Sequence, residues 1–460
     1  MRPRATAPSV EDVTTPAAAT GPDPQSARDA APHGAAGAAT PATRARAIAP
    51  DLARGLMLLL IALANMPWHL FGRETSLTSM HHVDGSIGDR VWQAIAIVAV
   101  DGRSYPLFAL LFGYGIWQLY RRQLAAGATS REARRLLRRR HWWMLAFGAV
   151  HAALLWMGDI VGAYGPVGLL VGWLFLERRD RTIAIWAWVL GALLALGALG
   201  TAAIGLLLGA LDVPFDVEGG DAASIPATAG LESYPASILA RLGMWAVIAP
   251  MQGILGLVVP IAILLAILAA RHGILEEPER HRALLVRVAT WGIAIGWAGG
   301  LLALAEHLGA LDAVPSWTFS LVHAATGLPA GLGYAALFGL VAARLARRPL
   351  GSVPRALTAV GKRSLTSYLL QSVLFAPVLS AWGLGLGGVL TEWQGALYAV
   401  GVWLVTVVVA VVREAAGRSG PAETLLRRLA YPRDAVVRPT PMGEAAALAA
   451  SGGAAPGPRG

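Results

Sequence analysis

The chain of 460 residues contains no cysteine. That excludes disulfides, a thiolate nucleophile, an acyl-cysteine intermediate, Cys-ligated zinc and a lipidated cysteine. Charge is also scarce: 14% of residues are Asp, Glu, Lys or Arg, where a soluble domain carries about 25%. With 55% hydrophobic residues and a mean hydropathy of +0.55, the chain is too apolar for an ordinary soluble enzyme. Lysine occurs once, at Lys362, and the rest of the 38 basic residues are arginine. Alongside abundant Ala, Gly and Pro, this points to a GC-rich coding sequence more than to a special use of arginine. No Gly-x-Ser-x-Gly, Walker A, His-Glu-x-x-His or dinucleotide fingerprint stands in a suitable context. No internal repeat is evident, so an inverted-repeat transporter finds no positive support.

What is present is a series of apolar runs. Residues 1–47 and 434–460, rich in Ala, Pro and Gly, read as disordered tails. The first has no apolar run long enough for the core of a secretory signal. A helix needs about 20 residues to span the hydrocarbon, and the segment 48–433 offers ten candidate spans: 52–71, 104–120, 141–157, 160–176, 183–210, 240–270, 286–305, 318–344, 364–382 and 393–412. The stretch 91–120 is ambiguous, since Asp101, Arg103 and Pro106 interrupt it. It holds either an interfacial helix over 91–100 before one span, or two crossings.

Arginine placement resolves this, because basic residues collect in short cytoplasmic loops. Segment 121–140 carries eight arginines, 271–287 carries four, and 344–363 carries five with Lys362, while 212–240 has acids and no base. Alternation holds only if 91–120 crosses once. The expected fold is therefore an all-α, polytopic transmembrane helix bundle of about ten spans with both termini cytoplasmic. The net charge of +10 and the pI near 10.5 then reflect topology and contact with membrane lipids, and no nucleic acid is expected as a partner.

Ionisable groups inside spans are costly and carry the chemical information. Asp51 and Arg54 lie one turn apart at the cytoplasmic end of the first span, and Asn65 lies about 20 Å deeper. Arg103 enters the second span from outside. His151 sits near mid-membrane in the third span, with Asp159 eight residues on. On one continuous helix these two are about 12 Å apart along the axis, sharing a cavity without touching. Ser364, Ser367, Tyr368 and Gln371 form a polar stripe on the ninth span, with Lys362 and Arg363 at its cytoplasmic entrance, where a phosphate-bearing donor can dock. Each group also has a plain structural reading, as an ion pair, a helix cap or an interhelical hydrogen bond. The outer loop 72–90 holds His81, His82, Asp84 and Asp89, whose spacing is not that of a specific metal site, so no metal is expected.

In this order the groups resemble the DUF418 family, the YeiB-like bacterial membrane proteins. The resemblance runs through Asp51–Gly55 with Asn65, Gly102-Arg103 leading into 107–115, 148–160 with Tyr164, 361–372, and 420–427, and covers roughly 48–433. Arg103 stands where the family pattern has lysine, and Thr424 where it has an aromatic residue. The family is distantly similar to transmembrane acyltransferases, which move acyl groups from cytosolic acyl-CoA to an acceptor across the membrane.

The resemblance implies a multi-pass protein of the bacterial plasma (inner) membrane that transfers an acyl group, with acyl-CoA as co-substrate and no tightly bound cofactor. The acceptor is a small molecule, a glycan or a lipid. His151 is expected to take the acceptor's proton, with Asp159 beside it. Asn65, Arg103, Tyr164, Tyr368 and Gln371 are expected around the substrate, with Asn65 and Gln371 facing the oxyanion, and Arg54, Lys362 and Arg363 around the donor's phosphates. This reading requires the groups to converge on one cavity. The alternatives are a permease for a small anionic solute and a non-catalytic membrane scaffold or sensor. The sequence leaves the oligomeric state open.

Overall fold

The computed structural model describes residues 41–76, 78–213 and 227–431. The expected tails lie outside these residues, apart from 41–47, which open the first helix. Apart from one isolated bridge between Thr75 and His82, the regular structure in the described residues is helical. In chain order the helices are α1 (Pro41–Asn65), α2 (Ile87–Ala99), α3 (Ser104–Ala125), α4 (Ser130–Leu154), α5 (Ile160–Leu174), α6 (Asp180–Ala210), the single turn α7 (Ala227–Gly230), α8 (Tyr234–Pro250), α9 (Val258–Arg271), α10 (Arg282–His307), α11 (Ser320–Ala346), α12 (Ser352–Lys362), α13 (Ser364–Leu379), α14 (Glu392–Ala415) and α15 (Pro421–Ala430).

Seven segments among the described residues are long and apolar enough to cross a membrane: Ile48–Asn65, Ile87–Ala125, α6, Tyr234–Leu255, α10, α11 and α14. The others expected as spans fall short of the usual requirement. α5 and α13 have 15 and 16 residues, and α4 begins with a run of arginines; α9, of 14 residues, is the second half of the expected span 240–270. The surface confirms the solvent. Only 22% of the apolar stretch of α6 is buried by protein, and Trp188 on it is 79% exposed. Water penalises such a surface and lipid does not.

Two expected elements differ from those observed, and one ambiguous stretch is resolved into two helices. First, the arginine-rich segment 121–140 is largely helix. α3 runs on to Ala125, and Thr129 and Glu132 form a reciprocal capping box that starts α4 at Ser130, ahead of the expected span 141–157. Second, 240–270 is not one span. α8 ends at Pro250, a π turn covers Met251–Leu255, and Leu257 takes φ +59° before α9 begins. Third, 91–120 breaks at Val100–Arg103, where Gly102 has φ +70°, a conformation that favours glycine. The break at 100–103 falls where Asp101, Arg103 and Pro106 interrupt the sequence, whereas the break at 250–257 is not expected from the sequence.

α3 packs against α9 and α11, α1 against α11 and α12, and α10 along α11. At the α10–α11 contact a Cβ on Gly292 or Gly296 would strike the Pro329 carbonyl or Ala330, so these glycines, four residues apart, let two helix backbones approach closely. The main buried cluster includes Met57, Leu111, Tyr114, Tyr164, Ile263 and Ala266, and it holds α1, α3, α5 and α9 as the frame around the polar residues.

Candidate functional site

His151 and Asp159 touch. α4 ends at Leu154, with the Leu155 N–H donating to the His151 carbonyl at 2.8 Å, and the chain turns back so that Asp159 caps the N-terminus of α5. Asp159 Oδ2 accepts from the Gly162 N–H, and Oδ1 lies 2.8 Å from His151 Nδ1. The expected 12 Å separation assumed one continuous helix, and the turn at 155–158 removes it. Glycine makes this return possible: a Cβ on Gly148 would collide with Gly162 Cα and with Asp159 Oδ2. Both members of the pair are buried. A carboxylate accepts at Nδ1, so Nδ1 carries the proton and the neutral ring keeps its lone pair on Nε2. Nε2 is buried and has no partner among the described residues. The Tyr368 ring lies 5.3 Å from that of His151, and its hydroxyl oxygen accepts from the Ile160 N–H at 3.2 Å.

Two cavities approach this pair from opposite ends. The one named outer, after the orientation expected from the arginines, has about 330 Å³ and is lined by Asn65, Trp68, Asp101, Tyr105, Trp156, Glu306 and His323, and both helix breaks reach it through Gly102 and Gln252. The inner one, of about 380 Å³, is lined by Arg54, Arg122, Arg140, His141, Lys362, Tyr368 and Arg427 above an apolar floor that includes Phe108, Phe112 and Met144. Ile160, next to Asp159, lines both. His151 is in neither lining.

The remaining predicted residues divide. Arg54 lines the inner cavity and pairs with Asp51 at 3.3 Å. Lys362 lines it too but is held by Glu414 at 2.6 Å. Arg363 is turned away. It donates to Glu414, to the Ala359 carbonyl and twice to the Arg418 carbonyl, tying α12 to the end of α14. Arg103 is fully buried, giving hydrogen bonds to the Asp101 and Gly296 carbonyls and approaching His323 Nε2 at 2.8 Å. It braces the break before α3 against α10 and α11. Gln371 donates to the Leu58 carbonyl at 3.3 Å, and the Tyr164 hydroxyl to the Tyr105 carbonyl at 3.0 Å. The expected convergence on one cavity is thus replaced by two cavities with the His–Asp pair between them.

Sequence reasoning passed over two features. One is the cavity face of Arg122 and Arg140, which read as loop charge until the segment is seen to be helical, together with His141 at the start of the expected span 141–157. The other is the outer loop. His81 is buried between Asp101 Oδ2, 2.8 Å from Nε2, and Glu392 Oε2, 2.5 Å from Nδ1. Burial pushes this ring down, but hydrogen bonds and charges from Asp101 and Glu392 outweigh it and hold His81 at about 10. At neutral pH it is an imidazolium donating to both carboxylates, with no free nitrogen for a metal or a substrate proton. Nothing in the spacing of 72–90 reveals this, because Glu392 lies some 310 residues away.

Residues 269–433 match the family described as Protein of unknown function (DUF418). The resemblance read from the motifs is therefore shown for the C-terminal part of the chain. Two bacterial relatives extend it toward the N-terminus. The chain is 27% identical over 342 residues to "Uncharacterized protein YxaH" of Bacillus subtilis (strain 168), covering 71% of this chain and 78% of the relative. It is 26% identical over 411 residues to "Uncharacterized protein YeiB" of Escherichia coli (strain K12), covering 84% of this chain and 96% of the relative.

Proposed function

We propose that the protein is a plasma-membrane acyltransferase that crosses the bilayer ten times with both termini cytoplasmic. In this reading it carries an acyl group from a cytosolic acyl-CoA to an acceptor reached from outside. The predicted groups do not converge on one cavity, so the single-cavity form of this reading fails; what supports a two-cavity form is the buried His151–Asp159 pair with a bare Nε2, set between two cavities. A donor thioester enters the inner cavity along its apolar floor, and the acceptor enters the outer cavity past Asn65 and Trp156. Movement of Tyr368 and Ile160 exposes Nε2 to both. His151 Nε2 removes the proton from the acceptor's hydroxyl or amine as that atom attacks the thioester carbon, while Asp159 stabilises the imidazolium. The Tyr368 O–H, whose oxygen only accepts in the resting fold, donates to the tetrahedral oxyanion. The intermediate collapses with loss of the CoA thiolate, which takes the proton back from His151.

The test is transfer of labelled acyl groups from a series of acyl-CoAs in proteoliposomes, for the wild type and His151→Ala. Transfer that falls by two to four orders of magnitude in the variant supports the reading. A wild type that transfers nothing, or a variant that transfers normally, removes it.

The two helix breaks favour one rival. Discontinuous helices lining a cavity are the usual place for a transported solute. Uptake of a small solute into the same vesicles without any acyl donor would establish a permease instead.

A further inference from the structure

We infer that the inner cavity is a binding site for a phosphoanion of two or more charges, held by Arg54 and Arg140 inside and by Arg122 and Arg427 at its mouth. The inference deepens the acyl-transfer reading and rests on it only for what carries the anion.

The carboxylates around this cavity are already engaged. Of the acids in its lining, Asp51 is shared with Arg54 at 3.3 Å. Glu423 is spent on the start of α13: it accepts from the Leu365 and Thr366 N–H groups at 2.8 and 3.1 Å and from the Thr366 hydroxyl at 2.5 Å. Lys362 and Arg363 share Glu414. Arg122, Arg140 and Arg427 are left with no ion pair among the described residues. Their neighbours on the same helical ends fare differently, since Arg121 reaches Glu276 at 3.2 Å and Arg134 reaches Glu177 at 2.9 Å. Carboxylates thus reach Arg121 and Arg134, which lie outside the lining, and do not reach Arg122, Arg140 and Arg427, which lie in it. The Arg140 guanidinium also lies in the repulsive field of Arg54, Arg122 and Arg427, and its Nε is buried with no partner. Several like charges gathered from α1, α3, α4 and α15 at one cavity are costly until an anion arrives.

An independent observation points the same way. His141, deeper in the same lining, is 1% exposed, and both of its ring nitrogens lack partners. A buried imidazole with neither nitrogen bonded is a polar group awaiting a ligand. One ring N–H can donate to a phosphate oxygen, as the guanidiniums do in fork geometry. Below the charged mouth, Phe108, Phe112 and Met144 accommodate an apolar tail. The ligand class is therefore an amphiphile with a phosphorylated head, either a soluble phosphoanhydride cofactor or an anionic lipid headgroup.

The test uses the full chain in phosphatidylcholine nanodiscs, titrated calorimetrically with coenzyme A and, separately, with pyrophosphate. Both should bind with an affinity that falls as salt rises. Binding should weaken at least tenfold in Arg140→Gln and in Arg122→Gln and be unchanged in Arg287→Gln, an exposed arginine outside the cavity. Arg140→Lys and Arg122→Lys keep the charge and should recover part of the loss, and thermal unfolding checks that each variant is folded. A wild type that binds neither probe, or binding indifferent to the glutamine variants, overturns the site. If phosphatidylglycerol nanodiscs abolish pyrophosphate binding in an Arg140-dependent way, the site stands and its ligand is a lipid headgroup. If coenzyme A binds through these arginines and no acyl transfer is found, the site stands and the acyl-transfer reading falls.

Discussion

Asp159 holds two jobs in one side chain, and substitution separates them. Asp159→Ala removes both the cap on α5 and the His151 partner, so it should lower stability by about 1 kcal/mol, the usual worth of an N-cap, and abolish transfer. Asp159→Asn keeps an oxygen for the Gly162 N–H and should stay within a few tenths of a kcal/mol of the wild type in thermal unfolding. It should still lose activity, because a neutral amide does not stabilise the imidazolium. Equal activity in Asp159→Asn and the wild type would reduce Asp159 to a cap. His81 gives a second residue-scale expectation, in pH. Its folded pKa is raised to about 10 from 6.5. Its contribution to stability is therefore complete below about 6.5 and is lost as pH rises through about 10. Thermal midpoints should decline over that window, and His81→Gln should flatten the decline. A wild-type midpoint that stays level between pH 6.5 and 10 would contradict the charged clamp.

At the scale of elements, the α4–α5 corner is the part most exposed to substitution. Gly148→Ala places a methyl where Gly162 Cα and the Asp159 carboxylate already are, and overpacking of this kind costs about 1–3 kcal/mol. We expect a lower unfolding temperature together with loss of transfer, since parting α4 from α5 also parts His151 from Asp159. A Gly148→Ala protein as stable and as active as the wild type would show that the corner yields without consequence. The breaks at Val100–Arg103 and Met251–Leu257 are the other elements with functional meaning. Each interrupts an apolar run and turns backbone and polar side chains toward the outer cavity. Irregular backbone at membrane depth is tolerated where it lines a cavity. Arg103 belongs to this scale as well, for its hydrogen bonds brace the first break and leave little for a ligand.

At the scale of the molecule, the prediction concerns orientation. The absence of cysteine makes it easy to test, because single introduced thiols have no native background. Asp84→Cys in the outer loop should react with a membrane-impermeant maleimide on intact spheroplasts. Arg280→Cys, on the arginine-rich side, should react only after permeabilisation. The opposite pattern would invert the bundle and exchange the entrances of the two cavities. The basic cavity would then face away from the cytosol, and a cytosolic acyl donor could not reach it.

Composition and the spacing of apolar runs determined on their own that this is a helical membrane protein, and the arginine distribution supplied an orientation to test. These properties depend on transfer of whole segments between water and lipid, which sums over residues and ignores their contacts. The motif at 148–160 likewise singled out His151 and Asp159. Only the tertiary structure decided that they touch, because their contact depends on one turn at 155–158 and on the missing Cβ of Gly148. Only it showed that Arg103, Arg363 and Gln371 are held by backbone carbonyls, while Arg122, Arg140 and His141 face a cavity. Which face a polar side chain presents is set by neighbours up to some 300 residues away, as with His81 and Glu392, and no local pattern carries that distance.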